Sequence, residues 1–244
     1  MSGATPAKRF DGKSVVVTGV GRAGQVGEIV ATEFAKRGAH VAIIDRDGAS
    51  AELLAAGMRT NGLQVSAYGC DLTDAAATAA TFARIAGANG GHIHALANVA
   101  GGFAMSGPVG ESDPAVFQRQ LAINLGSAYG ATRACIPFMR AAGGGGIVFM
   151  AAAAILPGGK VAAMAGYAAS KAGVTAVMRA VAQEERANHI RANAIAPTAV
   201  RTGVNLDSMG DKFPYVERES VAGVIAFLCS EEAANITGQV IELA

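Results

Sequence analysis

Short apolar runs, many of them β-branched, recur along the chain and are separated by segments with helical periodicity. The first run, Ser14–Thr18, reads Ser-Val-Val-Val-Thr without polar alternation, which is typical of a strand buried on both faces of a parallel sheet. Similar runs occupy positions 41–44, 64–70, 93–101, 147–150, 191–196 and 239–243. About seven strands that alternate with helices predict an α/β fold, a single Rossmann-type doubly wound domain with a parallel sheet flanked by helices.

The segments between these strands predict the helices. An apolar stripe over 29–35 predicts a first helix that ends at Gly38. Further helices are expected over 49–59, up to about 88, from about 114 to about 141, over 160–178 and over 221–228. The chain contains no repeat and no long linker, so we expect one domain over 1–244, with a polar leader over 1–11.

Composition and charge narrow the classes of function. Apolar residues make up 51% of the chain, the net charge is +1 and there is no basic stripe, which argues against nucleic-acid binding. The longest uncharged apolar run, 147–156, is too short to span a bilayer, and the first ten residues lack the apolar core of a secretory signal. The three cysteines have no paired spacing. We therefore expect a cytoplasmic protein without a metal site and without membrane or nucleic-acid partners.

A glycine-rich turn links the first predicted strand to the first predicted helix. It reads Gly19-Val20-Gly21-Arg22-Ala23-Gly24-Gln25-Val26-Gly27, and the second strand ends on Asp45. Glycines let backbone N–H groups approach a pyrophosphate, and the helix N-terminus favours its charge. An acid about 20 residues further on accepts the ribose hydroxyls. The combination predicts a dinucleotide site rather than a purely structural turn.

Asp45 also bears on which dinucleotide is bound. A carboxylate at this position repels a 2′-phosphate, so NAD is favoured over NADP. Arg22 and Arg46 flank the turn and are able to accept a phosphate, which keeps NADP as the less favoured alternative.

Tyr167 and Lys171 lie four residues apart in an apolar segment without internal proline, so they share one face of a helix. An ammonium close to a phenol favours the phenolate and lowers its pKa from about 10. The tyrosine is then able to exchange a proton with an alcohol or carbonyl oxygen. Taken alone, the pair is more often a buried tyrosine beside a solvated lysine, and only the other motifs favour chemistry.

In their order along the chain, these features resemble the short-chain dehydrogenase/reductase family from about residue 11 to 239. The residues that carry the resemblance are Thr18-Gly19 with Gly24 and Gly27, Asp71-Leu72, Asn98-Val99-Ala100-Gly101, Asn124, Tyr167 with Ser170-Lys171, Pro197 with Thr202, and Ile236-Thr237-Gly238-Gln239. Each motif alone is common, but the whole set in the family's order is specific.

The resemblance implies a role for each of these residues. Tyr167 would be the proton donor or acceptor, and Lys171 would hold the nicotinamide ribose while lowering the pKa of the tyrosine. Asn124 would anchor a water that leads protons towards Lys171. Contacts with the cofactor are implied for Gly19, Gly24, Val26, Gly27, Asp45, Arg46, Asp71, Leu72, Asn98, Ala100, Gly101, Tyr167, Lys171, Pro197, Val200 and Thr202.

Two departures from the family pattern change the expectation. The glycine turn is longer than usual, and Gln25 stands where the middle glycine is expected. The family also places a serine just past the fifth strand to hydrogen-bond the reacting oxygen. Here Ala154 lies at the usual distance from the tyrosine, and alignment from the strand gives Ala152. Loss of one such donor typically costs about 10²–10³ in rate. Ser106 is either a substitute donor or, as we favour, an ordinary loop serine.

The segment 203–218 corresponds to the family's substrate lid, and its apolar residues predict a mainly apolar alcohol or ketone as substrate. We expect an NAD(H)-dependent oxidoreductase that interconverts a secondary alcohol and a ketone. The alternative is a catalytically weakened nucleotide-binding protein of the same fold that acts as a sensor or scaffold. Apolar faces on the helices around Ala131 and Ala176 predict a homo-oligomer, a tetramer or a dimer.

Overall fold

Seven parallel strands form one sheet in the order β3-β2-β1-β4-β5-β6-β7. The computed structural model describes residues 9–244, and the first eight residues of the expected polar leader lie outside the described part. The strands are β1 Ser14–Thr18, β2 His40–Asp45, β3 Val65–Gly69, β4 Ala95–Asn98, β5 Gly145–Met150, β6 Ile190–Pro197 and β7 Val240–Leu243. The predicted doubly wound parallel sheet is confirmed.

Helices cover both faces of this sheet. They are α1 Val26–Lys36, α2 Gly48–Thr60, α3 Ala75–Gly87, α4 Pro114–Gln120, α5 Ser127–Ala141, α6 Ala165–Glu184, α7 Gly203–Met209 and α8 Arg218–Cys229. Helices α1 and α8 pack together on one face, and α3 and α5 pack together on the other. Within residues 9–244, no helix combines the length and the hydropathy needed to cross a lipid bilayer.

The strands have unbroken apolar runs because helices cover both faces of the sheet. Val15 and Val17 point into the core that also contains Phe34 of α1 and Ile225 of α8. Val16, between them, points into the opposite core. Side chains alternate across a strand, so a strand buried on both faces needs apolar residues at every position.

Three local features differ from the sequence prediction. The helix that carries Tyr167 begins at Ala165 rather than near residue 160, because Ala163 adopts a left-handed conformation with φ 62°, which a continuing α-helix cannot contain. The predicted helix over 114–141 contains a π-helical segment over Leu121–Gly126. A short helix, α7, lies in the expected lid, where no helix was predicted.

Candidate functional site

The strand order reverses between β1 and β4, and in open parallel sheets a ligand crevice forms at such a point beyond the carboxyl ends of the strands. Asp45, Asn98, Met150 and Pro197 are the last residues of their strands. The sheet therefore brings the residues selected from the sequence to one edge. Asp71 follows β3 by two residues and lies at the same edge.

The glycine turn lies tightly against the sheet and the start of α1. The N–H groups of Gly19 and Val20 donate to the carbonyl oxygen of Ile44 at 2.8 and 3.2 Å. A Cβ on Gly27 would lie 2.3 Å from the carbonyl oxygen of Gly19, so only glycine permits this approach of helix to strand. The N-cap residue of α1, Gln25, makes no side-chain capping bond, and the first amides of the helix lack a side-chain acceptor. An anion such as a pyrophosphate fits this cradle.

Asp45 and Gly21 face each other across the turn. A Cβ on Gly21 would lie 2.4 Å from the carboxyl carbon of Asp45, so the carboxylate lies directly over the turn where a ribose is expected. The Asp45 carboxylate accepts a bond from the N–H of Asp47 at 3.0 Å. Hydrogen bonds from Thr73 lower the pKa of Asp71, and the guanidinium of Arg46 lowers it further. Arg46 is therefore close enough to Asp71 for their charges to interact.

Thr18 organises the turn after β4, a role that the sequence motif alone did not reveal. Its hydroxyl oxygen accepts bonds from the N–H groups of Val99 and Ala100, both at 3.1 Å. A Cβ on Gly19 would lie 2.6 Å from the Cα of Ala100. The two turns that flank the crevice are therefore in direct contact. Leu72 is buried, and Asn98, also buried, donates from Nδ2 to Thr132 of α5 at 3.0 Å.

Asn124 lies within the π-helical segment and holds the loop after β4. Its Oδ1 accepts from the N–H of Gly102, and its Nδ2 donates to the carbonyl oxygen of Gly102, both at 3.0 Å. A Cβ on Gly101 would lie 2.4 Å from Asn124 Oδ1 and 3.7 Å from Lys171 Nζ. Gly101, Asn124 and Lys171 therefore meet at one point. Single π-bulges occur often at functional sites, but hydrophobic periodicity does not distinguish them from an α-helix.

Lys171 is 5% exposed, and its Nζ donates to the carbonyl oxygen of Met150 at the end of β5, at 2.8 Å. Burial lowers the pKa of Lys171 to about 8. Its Nζ lies 5.8 Å from the centroid of the Tyr167 ring.

The expected effect of Lys171 on the tyrosine is not observed, because burial raises the pKa of Tyr167. The amine is bonded to the Met150 carbonyl group instead of the phenol. The ring of Tyr167 packs edge-on against Phe103, with centroids 5.0 Å apart. Among residues 9–244, Lys171 and Asn124 use their polar atoms on loop carbonyls and amides, whereas the Tyr167 hydroxyl has no such bond. The phenol is the polar group of this cluster that is left for a ligand.

The alanine run after β5 forms a turn without hydroxyl groups. Ala152 is buried and extended, with φ −155° and ψ 141°, and a single 3₁₀ turn follows over Ala153–Ile155. Ser106 donates from its hydroxyl to the carbonyl oxygen of Ala163 at 3.2 Å. This bond ties the loop after β4 to the start of α6, which is the role of an ordinary loop serine.

The residues after β6 contact the segment 203–218, the expected lid. Pro197 ends the strand, and Val200 pairs with Val216 in an isolated bridge. The hydroxyl of Thr202 caps α7 by accepting from the N–H of Asn205 at 3.3 Å. Large apolar side chains are exposed around the lid and the loop after β4: Phe103, Met105, Val204, Met209 and Phe213.

In the described part of the chain, no three His, Cys, Asp or Glu side chains lie close enough together to hold a metal ion. The arrangement instead offers an anion cradle, a carboxylate for a ribose and an unpaired phenol near a buried amine. Such a set of groups is suited to holding a dinucleotide and moving one proton.

The chain is similar to known dehydrogenases over almost its whole length. The chain is 34% identical over 243 residues to the D-threitol dehydrogenase of Mycolicibacterium smegmatis, a match that covers 94% of this chain and 90% of that protein. It is 31% identical to 2-(S)-hydroxypropyl-CoM dehydrogenase 3 of Xanthobacter autotrophicus, with 95% of each chain covered.

Among solved structures, a 7α-hydroxysteroid dehydrogenase in complex with NADH and 7-oxo glycochenodeoxycholic acid is 28% identical, with a TM-score of 0.87 and 97% of this chain and 94% of that chain covered. A family model described as short chain dehydrogenase matches residues 13–211. The protein belongs to the short-chain dehydrogenase family of oxidoreductases.

Proposed function

We propose that the protein is an NAD(H)-dependent oxidoreductase that interconverts a secondary alcohol and a ketone. The observation that carries this proposal is the free hydroxyl of Tyr167 in a cluster whose other polar groups are bonded to the backbone. A protein that only bound a nucleotide would need the glycine turn and Asp45, but it would have no use for an unpaired phenol at the crevice.

The residues around the crevice fit a dinucleotide in three parts. The turn from Gly19 to Gly27 and the N-terminus of α1 would hold the pyrophosphate, and Asp45 would accept the adenosine ribose hydroxyls, with Asp71 and Leu72 beside the adenine. Lys171 would hold the nicotinamide ribose. The segment from Pro197 to Thr202 would seat the carboxamide, and Asn98, Ala100 and Gly101 would support the centre. The bound cofactor supplies hydride transfer.

The chain's own contribution is to orient the substrate and to move one proton at the Tyr167 hydroxyl oxygen. Burial keeps this phenol protonated at neutral pH, which suits donation to a carbonyl oxygen. Lys171 and Asn124 lie behind it and are tied to β5 and to the loop after β4, so they hold a fixed geometry around the crevice.

NAD is the proposed cofactor because Asp45 lies directly over the turn, whereas the charge of Arg46 also acts on Asp71. A 2′-phosphate placed near Asp45 would meet a carboxylate at short range. Asp45→Ser is expected to narrow the preference for NADH over NADPH, and Arg46→Gln to leave it nearly unchanged, as measured by fluorescence titration of both cofactors. An unaltered preference in Asp45→Ser would assign the discrimination to another residue.

The substrate is proposed to be mainly apolar. Phe103 is 59% exposed and Phe213 is 41% exposed at the crevice edge and in the lid, so a ligand in the crevice would cover apolar rings. Of the similar proteins, one is named for the polar D-threitol and another is in complex with a steroid derivative. The exposed rings favour a substrate closer to the second in polarity.

We further propose that Ala152, rather than Ala154, stands where the family's serine lies. Ala152 comes two residues after Met150, whose carbonyl oxygen accepts from Lys171. Ala154 lies inside the 3₁₀ turn, and its carbonyl oxygen lies 2.1 Å from where a Cβ on Gly159 would be. Ala152→Ser is expected to raise kcat by up to about 10², and Ala154→Ser to leave it unchanged. A gain in Ala154→Ser alone would reverse the assignment.

We also propose that the protein is a cytoplasmic homo-oligomer, a tetramer or a dimer. Its three cysteines are free thiols, which supports a reducing compartment such as the cytoplasm. Tyr129 of α5 is 54% exposed, which supports a subunit contact at this helix. Light scattering coupled to size exclusion measures the mass, and a monomer at micromolar concentration would contradict the proposal.

The deciding experiment follows nicotinamide absorbance while the protein is incubated with NAD and a panel of secondary alcohols, and with NADH and the matching ketones. Tyr167→Phe, which keeps the ring and removes the hydroxyl, is the control and is expected to abolish turnover without loss of NADH binding. Binding of NADH with equal, negligible turnover in both proteins would instead favour the sensor or scaffold.

A further inference from the structure

The backbone of Gly24, at the tip of the glycine turn, is held by two charged side chains of opposite sign. Its N–H donates to Oε2 of Glu28 at 2.6 Å, and its carbonyl oxygen accepts from Nη1 of Arg218 at 2.6 Å. Glu28 belongs to the first turn of α1. Arg218 is the first residue of α8 and lies 194 positions after Gly24 in the chain. The turn is therefore fixed both by its own helix and by a distant one.

Glu28 occupies a position that suits a phosphate oxygen. Backbone amides at a helix N-terminus attract anions, and here a carboxylate oxygen already accepts from the Gly24 amide. This bond orders the turn. It also places a negative charge beside the cradle, where it would repel a second anion.

Arg218 carries the opposite charge to the same residue. It forms no ion pair with a carboxylate elsewhere in residues 9–244, and its Nε is buried without an acceptor. A buried donor without a partner is costly, and a guanidinium has the geometry to bind phosphate oxygens. An incoming phosphate would therefore find an uncompensated cation at the turn.

We propose that Glu28 and Arg218 set the affinity of the turn for pyrophosphate in opposite directions. Glu28 competes for the Gly24 amide and must release it when a pyrophosphate binds, while Arg218 supplies the compensating cation from α8. This inference rests on the proposed dinucleotide site.

The arrangement also connects the turn to the lid. Arg218 follows Glu217, whose Oε1 accepts from Nε of Arg201 at 3.0 Å, and Arg201 in turn binds Asp211 of the lid at 2.9 Å. The cation that faces the turn therefore lies at the end of the segment that would cover the substrate.

The test measures binding of ADP, which carries a pyrophosphate, and of adenosine, which carries no phosphate, by isothermal titration calorimetry. Glu28→Gln keeps an acceptor for the Gly24 amide but removes the charge. It is expected to bind ADP about fivefold more tightly, the effect of removing one like charge about 4 Å away in water. Arg218→Met is expected to bind ADP about fivefold more weakly and with a smaller dependence on salt.

Matched controls change the same charges elsewhere on exposed helix surfaces. Glu219→Gln and Arg179→Gln are expected to bind ADP as the wild type does, and adenosine binding is expected to be the same in every variant. Arg218→Lys, which keeps the charge without the planar fork, should lie between the wild type and Arg218→Met.

The failures of the two proposals are distinguishable. If the wild type binds ADP but Glu28→Gln and Arg218→Met, both folded by circular dichroism, bind it as tightly as the wild type does, the roles of Glu28 and Arg218 are wrong and the dinucleotide site stands. If the wild type binds neither ADP nor NADH, this inference and the proposed function are both overturned.

Discussion

The buried lysine of the site should destabilise the protein less as the pH rises into the alkaline range. Lys171 is 5% exposed, and burial lowers its pKa from 10.5 to about 8. A lysine whose pKa is lower in the folded state than in the unfolded state binds its proton more weakly when folded. The contribution of Lys171 to the free energy of unfolding therefore rises with pH between about 8 and 10.5, where this side chain holds more protons in the unfolded chain than in the folded chain.

The size of the effect follows from the interval between the two pKa values. One pKa unit corresponds to about 1.4 kcal/mol. The lowered pKa of Lys171 therefore reduces the free energy of unfolding by about 3 kcal/mol at pH 7, and by almost nothing above pH 10.5, where the side chain is neutral in both states. Only a difference between variants isolates this contribution, because other groups titrate in the same range.

The assay is urea unfolding of cofactor-free protein between pH 7 and 10.5, for the wild type and Lys171→Met. The bond from Nζ to Met150 is lost at every pH and shifts the whole curve. Between pH 7 and 10.5, the difference in free energy of unfolding between the wild type and Lys171→Met is expected to change by about 3 kcal/mol in favour of the wild type. Lys160→Met, at an exposed lysine, is the control and should run parallel to the wild type. Parallel curves for wild type and Lys171→Met would refute a buried amine with a lowered pKa.

Three further substitutions, the first with a matched glycine control, test the packing of the crevice. Gly27→Ala places a Cβ 2.3 Å from the Gly19 carbonyl oxygen and is expected to lower the free energy of unfolding by about 1–3 kcal/mol. Gly57→Ala is the control: its Cβ meets no atom within 4 Å on an exposed helix surface, so it should raise the free energy of unfolding by about 0.5–1 kcal/mol. Thr18→Val leaves two turn amides without their acceptor and is expected to cost about 1–3 kcal/mol; no loss in urea unfolding would contradict the bonding described. Ser106→Ala should lower stability by about 1 kcal/mol yet leave turnover unchanged, and a large fall in kcat would make its hydroxyl a substitute donor.

The strands were predictable because burial on both faces leaves a signal in the sequence itself. Val15, Val16 and Val17 point alternately into two separate cores, and a continuous apolar run is the only pattern that satisfies both. The candidate residues at the strand ends were predictable from the same pattern, since Asp45 is recognisable as soon as the second strand is located.

The contacts of the cluster around Tyr167 were not predictable in the same way. The four-residue spacing of Tyr167 and Lys171 indicates a common helix face, but the partner of the amine is the Met150 carbonyl, 21 positions away in the sequence. The bond from Arg218 to Gly24 joins positions still further apart. Sequence periodicity reports on local geometry, whereas these bonds depend on how distant loops meet.

The organisation of the crevice edge gives the polar residues two functions at once. Loops beyond the strand ends have amides and carbonyls without sheet partners, and buried backbone groups need partners. Asn124 and Lys171 meet that need for the loop after β4 and the end of β5. Their presence would be explained by structure even in a protein without turnover. The Tyr167 hydroxyl satisfies no backbone group in residues 9–244, so the choice between an enzyme and a binding protein of the same fold depends on that single oxygen.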